Sequence, residues 1–142
     1  MTTLAGLAGQ SGSADGVGSN ARFNFPAGIA VDNNGNLFVS DSGNNTIRSI
    51  TSAGVVTTIG GVAGQSGSID GIANLARFNN PTGIAVDVSG NIYVAEYNNS
   101  TVRTITSVIA PTITTQPQTQ TVIAGSNVTL SCLLYTSDAA DE

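Results

Sequence analysis

The chain carries one stretch twice, and this duplication constrains its fold more than any other feature. Residues 26–51 (PAGIAVDNNGNLFVSDSGNNTIRSIT) recur at 81–106 (PTGIAVDVSGNIYVAEYNNSTVRTIT). Over residues 2–52 and 57–107, about 30 of 51 aligned positions are identical at a constant offset of 55 residues. A repeat of this length is one supersecondary unit, which buries its apolar surface against neighbouring units of the same kind.

Each copy alternates short β-branched and aromatic segments with Gly, Asn, Asp and Ser turns, a pattern typical of strands. Only 9% of the residues are charged, and Thr, Val and Ile outweigh the strong helix formers. We predict strands at 28–32, 36–41, 46–51 and 55–60, and then at 83–87, 91–96 and 101–107. The last strand of the first copy has no obvious counterpart in the second. Because the first turns are short, the unit is predicted to be a four-stranded antiparallel meander.

The apolar residues of each copy fall on both faces of the predicted sheet. Ile29, Val31 and Val39 alternate with Phe38 and Ile47 under strand geometry. A sheet that is apolar on both faces must be covered twice, and radial stacking of like sheets in a β-propeller achieves this. A right-handed β-solenoid is the alternative, although its coils usually repeat at shorter intervals.

The motif PxGIAVDxxGNLFVSDxxNxTIRxI resembles the NHL repeat, a β-propeller blade, in the bacterial form that is preceded by GxxGxxDGxxxxARF. The resemblance covers about residues 2–107, and the propeller region is predicted to span residues 1–107, with repeat cores at 26–51 and 81–106. It implies an all-β partial β-propeller of two NHL-like four-stranded blades. The family includes enzymes, RNA binders and protein-interaction scaffolds, so this fold does not decide function.

Both ends of the repeat region suggest that further blades belong to the protein. Residues 1–5 align with the last strand of the first copy, so we expect them to form the last strand of an earlier blade. Two blades cannot close a ring of at least four. We therefore expect this chain to be part of a larger protein.

The composition changes after residue 107, where Gly becomes scarce and Thr, Gln and Pro become common. Residues 108–111 are interpreted as a linker. Residues 112–131 resemble the start of a bacterial immunoglobulin-like domain, with an extended Pro-containing segment, a Gly-Ser-Asn turn and alternating apolar residues. They supply two of about seven strands, so this β segment is expected to be truncated.

Residues 132–142 (CLLYTSDAADE) resemble the translation of a transposase adapter used in preparing sequencing libraries. We expect this tail to be an artefact, and its cysteine then carries no information on redox compartment. Without its three carboxylates, six acidic residues face four Arg, and the net charge changes from −5 to about −2. Acidity is therefore no guide to partners.

The charged residues of the repeat region all come in equivalent pairs: Asp15 and Asp70, Arg22 and Arg77, Asp32 and Asp87, Asp41 and Glu96, Arg48 and Arg103. Repeated residues are more often scaffold than active site, since catalysis usually needs one asymmetric constellation. We predict that Arg22 and Arg77 fasten the long connections before each blade, with Asp41 and Glu96 as acidic partners. Phe23 and Phe78 are predicted to be buried beside them.

Several functional classes are disfavoured by composition. The sequence has no His, which excludes a Ser-His-Asp triad, a His-ligated zinc and a His general base within it. It has no Lys and its four Arg occupy repeated positions, so a basic stripe for nucleic acid is not predicted. No run reaches the ~20 apolar residues of a membrane span. We predict no catalytic residue, cofactor or metal ligand.

A calcium loop is the one metal motif that needs consideration, because residues 32–36 (DNNGN) are similar to its first half. Its glycine is misplaced and position 12 is Gly43 rather than Glu. A tight turn with Gly supplying positive φ is the better interpretation.

One face of the meander is the predicted ligand face. The links at 42–45 and 97–100 should emerge there together with the long connections. The candidates are neutral side chains suited to a glycan or a protein: Asn44, Asn45, Tyr97, Asn98 and Asn99. Turn formation without ligand binding is the open alternative.

The sequence thus favours a non-catalytic binding or display module of a larger bacterial protein, extracellular or at the cell surface. One alternative is a propeller enzyme, a lyase or hydrolase, whose active site lies in other blades. A second alternative is an intracellular protein-interaction scaffold. Neither alternative has a dedicated motif in these residues.

Overall fold

The computed structural model describes residues 1–106, 112–113 and 134–135. The chain divides into two units, Met1–Ser107 and Val108–Glu142. In the second unit, the strands Thr112–Ile113 and Leu134–Tyr135 pair antiparallel. The remainder of the expected immunoglobulin-like start and of the tail lies outside the described residues.

The first copy of the repeat folds into a five-stranded antiparallel sheet, called blade 1. Its strands are β1 (Gly16–Val17), β2 (Pro26–Val31), β3 (Leu37–Asp41), β4 (Thr46–Ile50) and β5 (Val55–Gly60). The spatial order is β1-β5-β4-β3-β2. The four predicted strands are confirmed as an antiparallel meander. Sequence reasoning missed β1, which pairs with the outer edge of β5 for only two residues.

The second copy folds into a three-stranded sheet, called blade 2. Its strands are β6 (Pro81–Val86), β7 (Ile92–Glu96) and β8 (Thr101–Ile105), in the order β6-β7-β8. The three strands predicted for the second copy are confirmed. A fourth strand of this sheet is not among the described residues, in agreement with the lack of a second segment like VVTTIG of β5 after residue 105.

Strands and turns account for the regular structure of the first unit. In residues 1–106 the only helical pieces are three short 3₁₀ turns, Gly18–Asn20, Ser42–Asn44 and Ala73–Leu75, so the all-β prediction is confirmed. No helix among the described residues is long and apolar enough to cross a membrane. The strand predicted over residues 1–5 does not form, because no neighbouring strand satisfies its backbone groups.

The two blades stack face to face. The trailing face of blade 1, which carries Phe38 and Ile47, packs on the leading face of blade 2, which carries Ile92 and Val94. Phe78 from the long connection at residues 61–80 completes this core. The leading face of blade 1 holds a second cluster under the connection at residues 6–25: Ala21, Val39, Ile50 and Val56, with Ala5, Phe23 and Leu37 at its edge.

Close approach between the blades depends on Gly28 at the centre of β2. A Cβ at this position would lie 2.4 Å from the Thr82 carbonyl oxygen of blade 2. A glycine inside a strand often marks such an approach of another backbone. Thr82 is the extra residue of a β-bulge between Pro81 and Gly83, so its carbonyl can accept a hydrogen bond from outside its own sheet.

Polar bonds across the same interface fix the stacking register. The Ser40 hydroxyl donates to the Thr82 carbonyl at 2.9 Å, and the Ser42 hydroxyl donates to the Pro81 carbonyl. The Asn80 N–H donates to Asn45 Oδ1 at 2.8 Å. These inter-blade hydrogen bonds add direction to an interface that is otherwise apolar.

Candidate functional site

Arg48, in the middle of β4, is the centre of the polar structure beneath the first long connection. Its guanidinium lies 2.8 Å from an Asp41 carboxylate oxygen, and both side chains are 0% exposed. It also donates to the carbonyls of Arg22 and Ala14, both at 2.9 Å, and to Asp15 at 2.8 Å. The planar, forked guanidinium of Arg48 thus joins the end of β3 to two turns of the connection at residues 6–25.

The Asp41 carboxylate also binds other groups around Arg48, and this set of bonded residues is called the Arg48 cluster. Asp41 accepts the Asn24 N–H and the Asn44 side-chain amide, both at 2.7 Å. That Asn44 amide also donates to the Gly12 carbonyl at 2.7 Å. Asp41 is therefore fully engaged inside the protein, with its charge balanced by Arg48.

Blade 2 repeats this arrangement around Arg103, which donates to Glu96, Asp70 and the carbonyls of Ile69 and Arg77. The ion pair with Glu96 is longer, 3.2 Å, and the Arg103 side chain is 14% exposed. Within the described residues no fourth strand covers Arg103 as β5 covers Arg48. The Arg103 cluster is consequently more exposed to solvent than the Arg48 cluster.

The predicted roles of the first arginine pair need correction. Arg22 donates to the carbonyls of Ser19 and Ala21 and to Gln10, so it does bind the long connection. Arg77 does the same with Asn74, Ala76 and Gln65. The prediction that Asp41 and Glu96 are their partners is wrong, because Arg48 and Arg103 lie diagonally across the hairpin on the same sheet face.

The two phenylalanines that were predicted to be buried, Phe23 and Phe78, differ in their exposed fraction. Phe78 is 2% exposed between the blades, as predicted, whereas Phe23 is only half-buried at the edge of the leading face of blade 1. Each ring lies under the second arginine of its repeat, with Arg48 5.0 Å from the Phe23 centroid and Arg103 4.6 Å from that of Phe78. These are cation–π contacts.

Three of the predicted ligand-face residues have roles inside the scaffold. Asn44 is buried in the Arg48 cluster. Asn99 is its equivalent, donating to Glu96 and to the Gly67 carbonyl, both at 2.8 Å. Asn45 adopts a left-handed conformation with φ 57° and accepts across the blade interface. Their amides are therefore occupied in holding the loops and the stacking.

Tyr97 and Asn98 remain on the surface of this face. Tyr97 is 74% exposed, and its N–H is fixed by the Asn80 carbonyl at 3.0 Å. Asn98 is exposed and donates to Asn79 Oδ1 at 3.1 Å. The long connection at residues 61–80 lies beside this loop, as predicted. The Asn99 side chain donates to the Gly67 carbonyl, which belongs to that connection. The structure thus brings together one aromatic ring and two neutral amides.

The opposite face consists of tight turns. Asp32 accepts the N–H groups of Asn34 and Asn36 and the Asn36 amide, at 2.8–2.9 Å. The Asn36 side-chain bond, together with these backbone bonds, lowers the pKa of Asp32. In blade 2 the bond from the Asn91 side chain likewise lowers the pKa of Asp87. Both carboxylates are turn acceptors, in agreement with the turn interpretation of residues 32–36.

Asp15 is the partly exposed member of the Arg48 cluster. It accepts the Thr58 N–H at 3.0 Å and the Thr58 hydroxyl at 2.9 Å in addition to the Arg48 bond. Partial burial alone would raise the pKa of this carboxyl, but the bonds from Thr58 and Arg48 outweigh it and lower the pKa. Asp15 therefore links the connection to the outer strand as a carboxylate.

The described residues contain no group of three or more His, Cys, Asp and Glu side chains placed to hold a metal ion. A shallow apolar cavity of about 290 Å³ lies on the leading face of blade 1. Its lining includes Phe23, Pro26, Ile29 and Val39. None of its lining residues has a polar side chain, so the cavity lacks the side-chain groups that would orient a polar ligand.

Comparison with known proteins agrees with this architecture. The sequence model of the NHL repeat matches residues 23–48 and 78–105. The chain is similar to the Protein SUPPRESSOR OF QUENCHING 1, chloroplastic, of Arabidopsis thaliana, with 34% identity over 66% of this chain and 9% of that protein. NHL repeat-containing protein 2 of Bos taurus is 34% identical over 66% of this chain and 13% of that protein. The chain thus spans about a tenth of these relatives.

Solved structures give the same result at the level of the fold. An auxiliary nutrient binding protein from Bacteroides ovatus is 30% identical, with a TM-score of 0.64 over 71% of this chain and 27% of that chain. A second from Bacteroides thetaiotaomicron is 28% identical, with a TM-score of 0.63 over the same shares. A putative phosphatase from Bacteroides thetaiotaomicron is 28% identical, with a TM-score of 0.66 over 73% and 26%. The two sheets thus share the fold of these β-propeller proteins, and each contains a segment that matches the NHL repeat.

Proposed function

We propose that the blade pair is a non-catalytic binding module that holds a neutral carbohydrate on the face carrying residues 97–100. The observation that carries this proposal is Tyr97, 74% exposed on a loop whose backbone is held by the protein. A rigid, exposed aromatic ring offers an apolar platform for the C–H face of a sugar. Fixing the loop in advance reduces the entropy that binding must overcome.

The surroundings of Tyr97 support a neutral ligand. Asn79 and Asn98 supply amides that can donate to and accept from sugar hydroxyls. Glu96, the carboxylate at the base of the loop, is buried in an ion pair with Arg103, and the exposed Asp70 is paired with the same guanidinium. Arg77 donates to carbonyls of its own connection. Neutral hydrogen-bonding groups therefore dominate the accessible surface.

Two similar solved structures are described as auxiliary nutrient binding proteins, which supports a binding role. We extend the proposal to placement at the cell surface or outside the cell, with residues 112–131 as the start of an immunoglobulin-like module. Fractionation of a host expressing the complete protein tests the placement, and recovery in the cytosol alone would contradict it.

The binding proposal is tested by applying the chain to an array of neutral and acidic oligosaccharides. We expect binding to neutral members, a loss of roughly tenfold or more for Tyr97→Ala, and a partial loss for Asn98→Ala. Val88→Ala is the matched control, because Val88 is an exposed apolar residue in a turn of blade 2 on the opposite face.

Two results would overturn the proposal. Undiminished binding by Tyr97→Ala with loss in Val88→Ala would place the site on the other face. Absence of array binding, with capture of a defined protein partner that depends on Tyr97, would replace the carbohydrate by a protein ligand.

A further inference from the structure

The turn between β2 and β3 carries a reactive dipeptide that occurs once in the chain. Asn34 is followed by Gly35, and no other asparagine of the sequence is followed by glycine. Because glycine has no Cβ, its backbone nitrogen can approach the side-chain carbonyl carbon of the preceding asparagine with the least steric hindrance. The corresponding pair in the second copy is Ser89-Gly90, which has no side-chain amide.

Asn34 lies on the surface, and a neighbouring blade on either side leaves this turn accessible. Residues 33–35 are exposed although blade 2 follows blade 1. In the second copy, Val88 and Ser89 are exposed although blade 1 precedes blade 2. A Cβ built on Gly35 would meet nothing within 4 Å. Water therefore reaches the peptide that joins Asn34 to Gly35.

We propose that Asn34 is a site of spontaneous deamidation whose rate is set by the folded turn. The Gly35 backbone nitrogen attacks Asn34 Cγ, a new N–C bond closes a succinimide ring, and the Cγ–Nδ2 bond breaks. The leaving nitrogen takes the proton of the Gly35 amide and departs as ammonia. Water then adds to one of the ring carbonyl carbons, and ring opening leaves aspartate or isoaspartate at residue 34. The net change exchanges one amide for one carboxylate.

The hydrogen bonds of the turn hold the attacking nitrogen away from this reaction. The Gly35 N–H donates to the Asp32 carbonyl at 3.1 Å. The Asp32 carboxylate accepts the Asn34 N–H at 2.9 Å and the Asn36 N–H at 2.8 Å, and these bonds stabilise the closed turn. Attack on Cγ requires the Gly35 nitrogen to leave its carbonyl partner, so the turn must open first. Asp32 thus protects Asn34.

Conversion places a new carboxylate beside Asp32. The bonds from Asn36, and also those from Asn34, lower the pKa of Asp32, so Asp32 is ionised near neutral pH and repels the new charge. The isoaspartate product also adds one methylene to the backbone of the turn that sets the β2–β3 register. The modified chain should therefore unfold at a lower temperature than the unmodified chain.

Incubation of the complete chain near neutral pH, followed by trypsin digestion and mass spectrometry, tests the proposal. The chain has no Lys, so cleavage after Arg yields residues 23–48 and 78–103 as equivalent peptides of the two copies. We expect residue 34 to gain the mass of the amide-to-acid exchange, with no comparable change at the other asparagines of these peptides. Conversion should be roughly tenfold or more slower than in a synthetic peptide of residues 23–48, which lacks the folded turn.

Two substitutions test whether the turn sets the rate. Asp32→Ala removes the acceptor of two backbone N–H groups, so it should speed conversion at residue 34 by roughly three- to tenfold. Asp87→Ala removes the equivalent acceptor in blade 2 and is the matched control, which should leave the rate at residue 34 unchanged. Circular dichroism confirms the β structure of both variants.

A third substitution transfers the site to blade 2. Ser89→Asn creates a second Asn-Gly pair in a turn with the same bonds. There Asp87 accepts the N–H groups of Ser89 and Asn91, both at 2.9 Å, and the Gly90 N–H donates to the Asp87 carbonyl at 3.0 Å. Residue 89 of this variant should therefore convert at a rate similar to that of residue 34, as measured in the peptide of residues 78–103.

An unchanged residue 34 after an incubation many times longer than the synthetic peptide needs would overturn the proposal. Faster conversion at another asparagine of the same peptide would also overturn it, because the Asn-Gly pair would then not define the site. Equal rates at residue 34 in Asp32→Ala and Asp87→Ala would show that the turn does not control the reaction. None of these outcomes depends on the proposed binding face.

Discussion

At the scale of single residues, the protein depends on one buried cation per blade rather than on the arginines of the connections. Arg48 and Arg103 each bind a strand-end carboxylate, backbone carbonyls of the connection and an aromatic ring. A buried ion pair tolerates loss of one partner poorly, because the other charge is left without compensation. The two clusters have the same design but different burial.

We predict that Arg48→Met destabilises the fold by about 3–5 kcal/mol, since it leaves the buried Asp41 carboxylate unpaired. Arg103→Met should cost clearly less, because the Arg103 side chain is 14% exposed and water can solvate Glu96 after the substitution. Urea unfolding of both variants measures the difference. Equal losses of unfolding free energy would contradict the burial argument.

Asp15 predicts a pH dependence of stability. Its pKa is lowered in the folded state, so its contribution is complete above the unfolded pKa of about 3.9. That contribution is lost as pH falls through the lower folded pKa. Asp15→Asn should therefore flatten the decrease in stability below about pH 4, as seen in urea unfolding at several pH values. An unchanged pH slope would show that the bonds to Thr58 and Arg48 do not favour the carboxylate.

At the scale of strands and sheets, the sequence predicts those features that follow from a local pattern of residues. Alternation and Gly-Asn turns gave the seven long strands, and the resemblance to the NHL repeat gave their stacking. The arginine partner of Asp41 was not predicted correctly. The hairpin geometry could have identified it, because Arg48 lies diagonally across the β3–β4 hairpin from Asp41 on the same sheet face. The short strand β1 could not be predicted, because its pairing depends on where the long connection meets β5.

Gly28 tests the stacking of the sheets. Gly28→Ala should destabilise the chain by roughly 1–3 kcal/mol, since its Cβ would lie 2.4 Å from the Thr82 carbonyl oxygen and the blades would have to separate. Gly83→Ala is the matched control, because its Cβ meets only the Ala95 methyl at 3.2 Å. Thermal unfolding of dilute samples compares them. A larger loss for Gly83→Ala would contradict the stacking account.

At the scale of the whole molecule, residues that are the same in both copies of the repeat have a different role from residues that differ between the copies. Positions that recur with the same chemistry, such as Asn44 and Asn99, hold the connections to the sheets. The ligand-face prediction included them because the Asn side chain offers both hydrogen-bond donors and an acceptor, and sequence cannot show which amides are already bonded. Tyr97 replaces Ser42, and it is this departure from the repeat that leaves an aromatic ring on the surface.

We propose that the face carrying residues 97–100, rather than the turns of residues 33–35 and 88–90, is the binding surface. Its most direct test is an amide NMR titration of the isotopically labelled chain with the neutral oligosaccharide that binds best on the array. We expect saturable shifts at Asn79, Tyr97 and Asn98, and we expect Tyr97→Ala to abolish them. Shifts concentrated at 33–35 and 88–90, or unaffected by Tyr97→Ala, would contradict it.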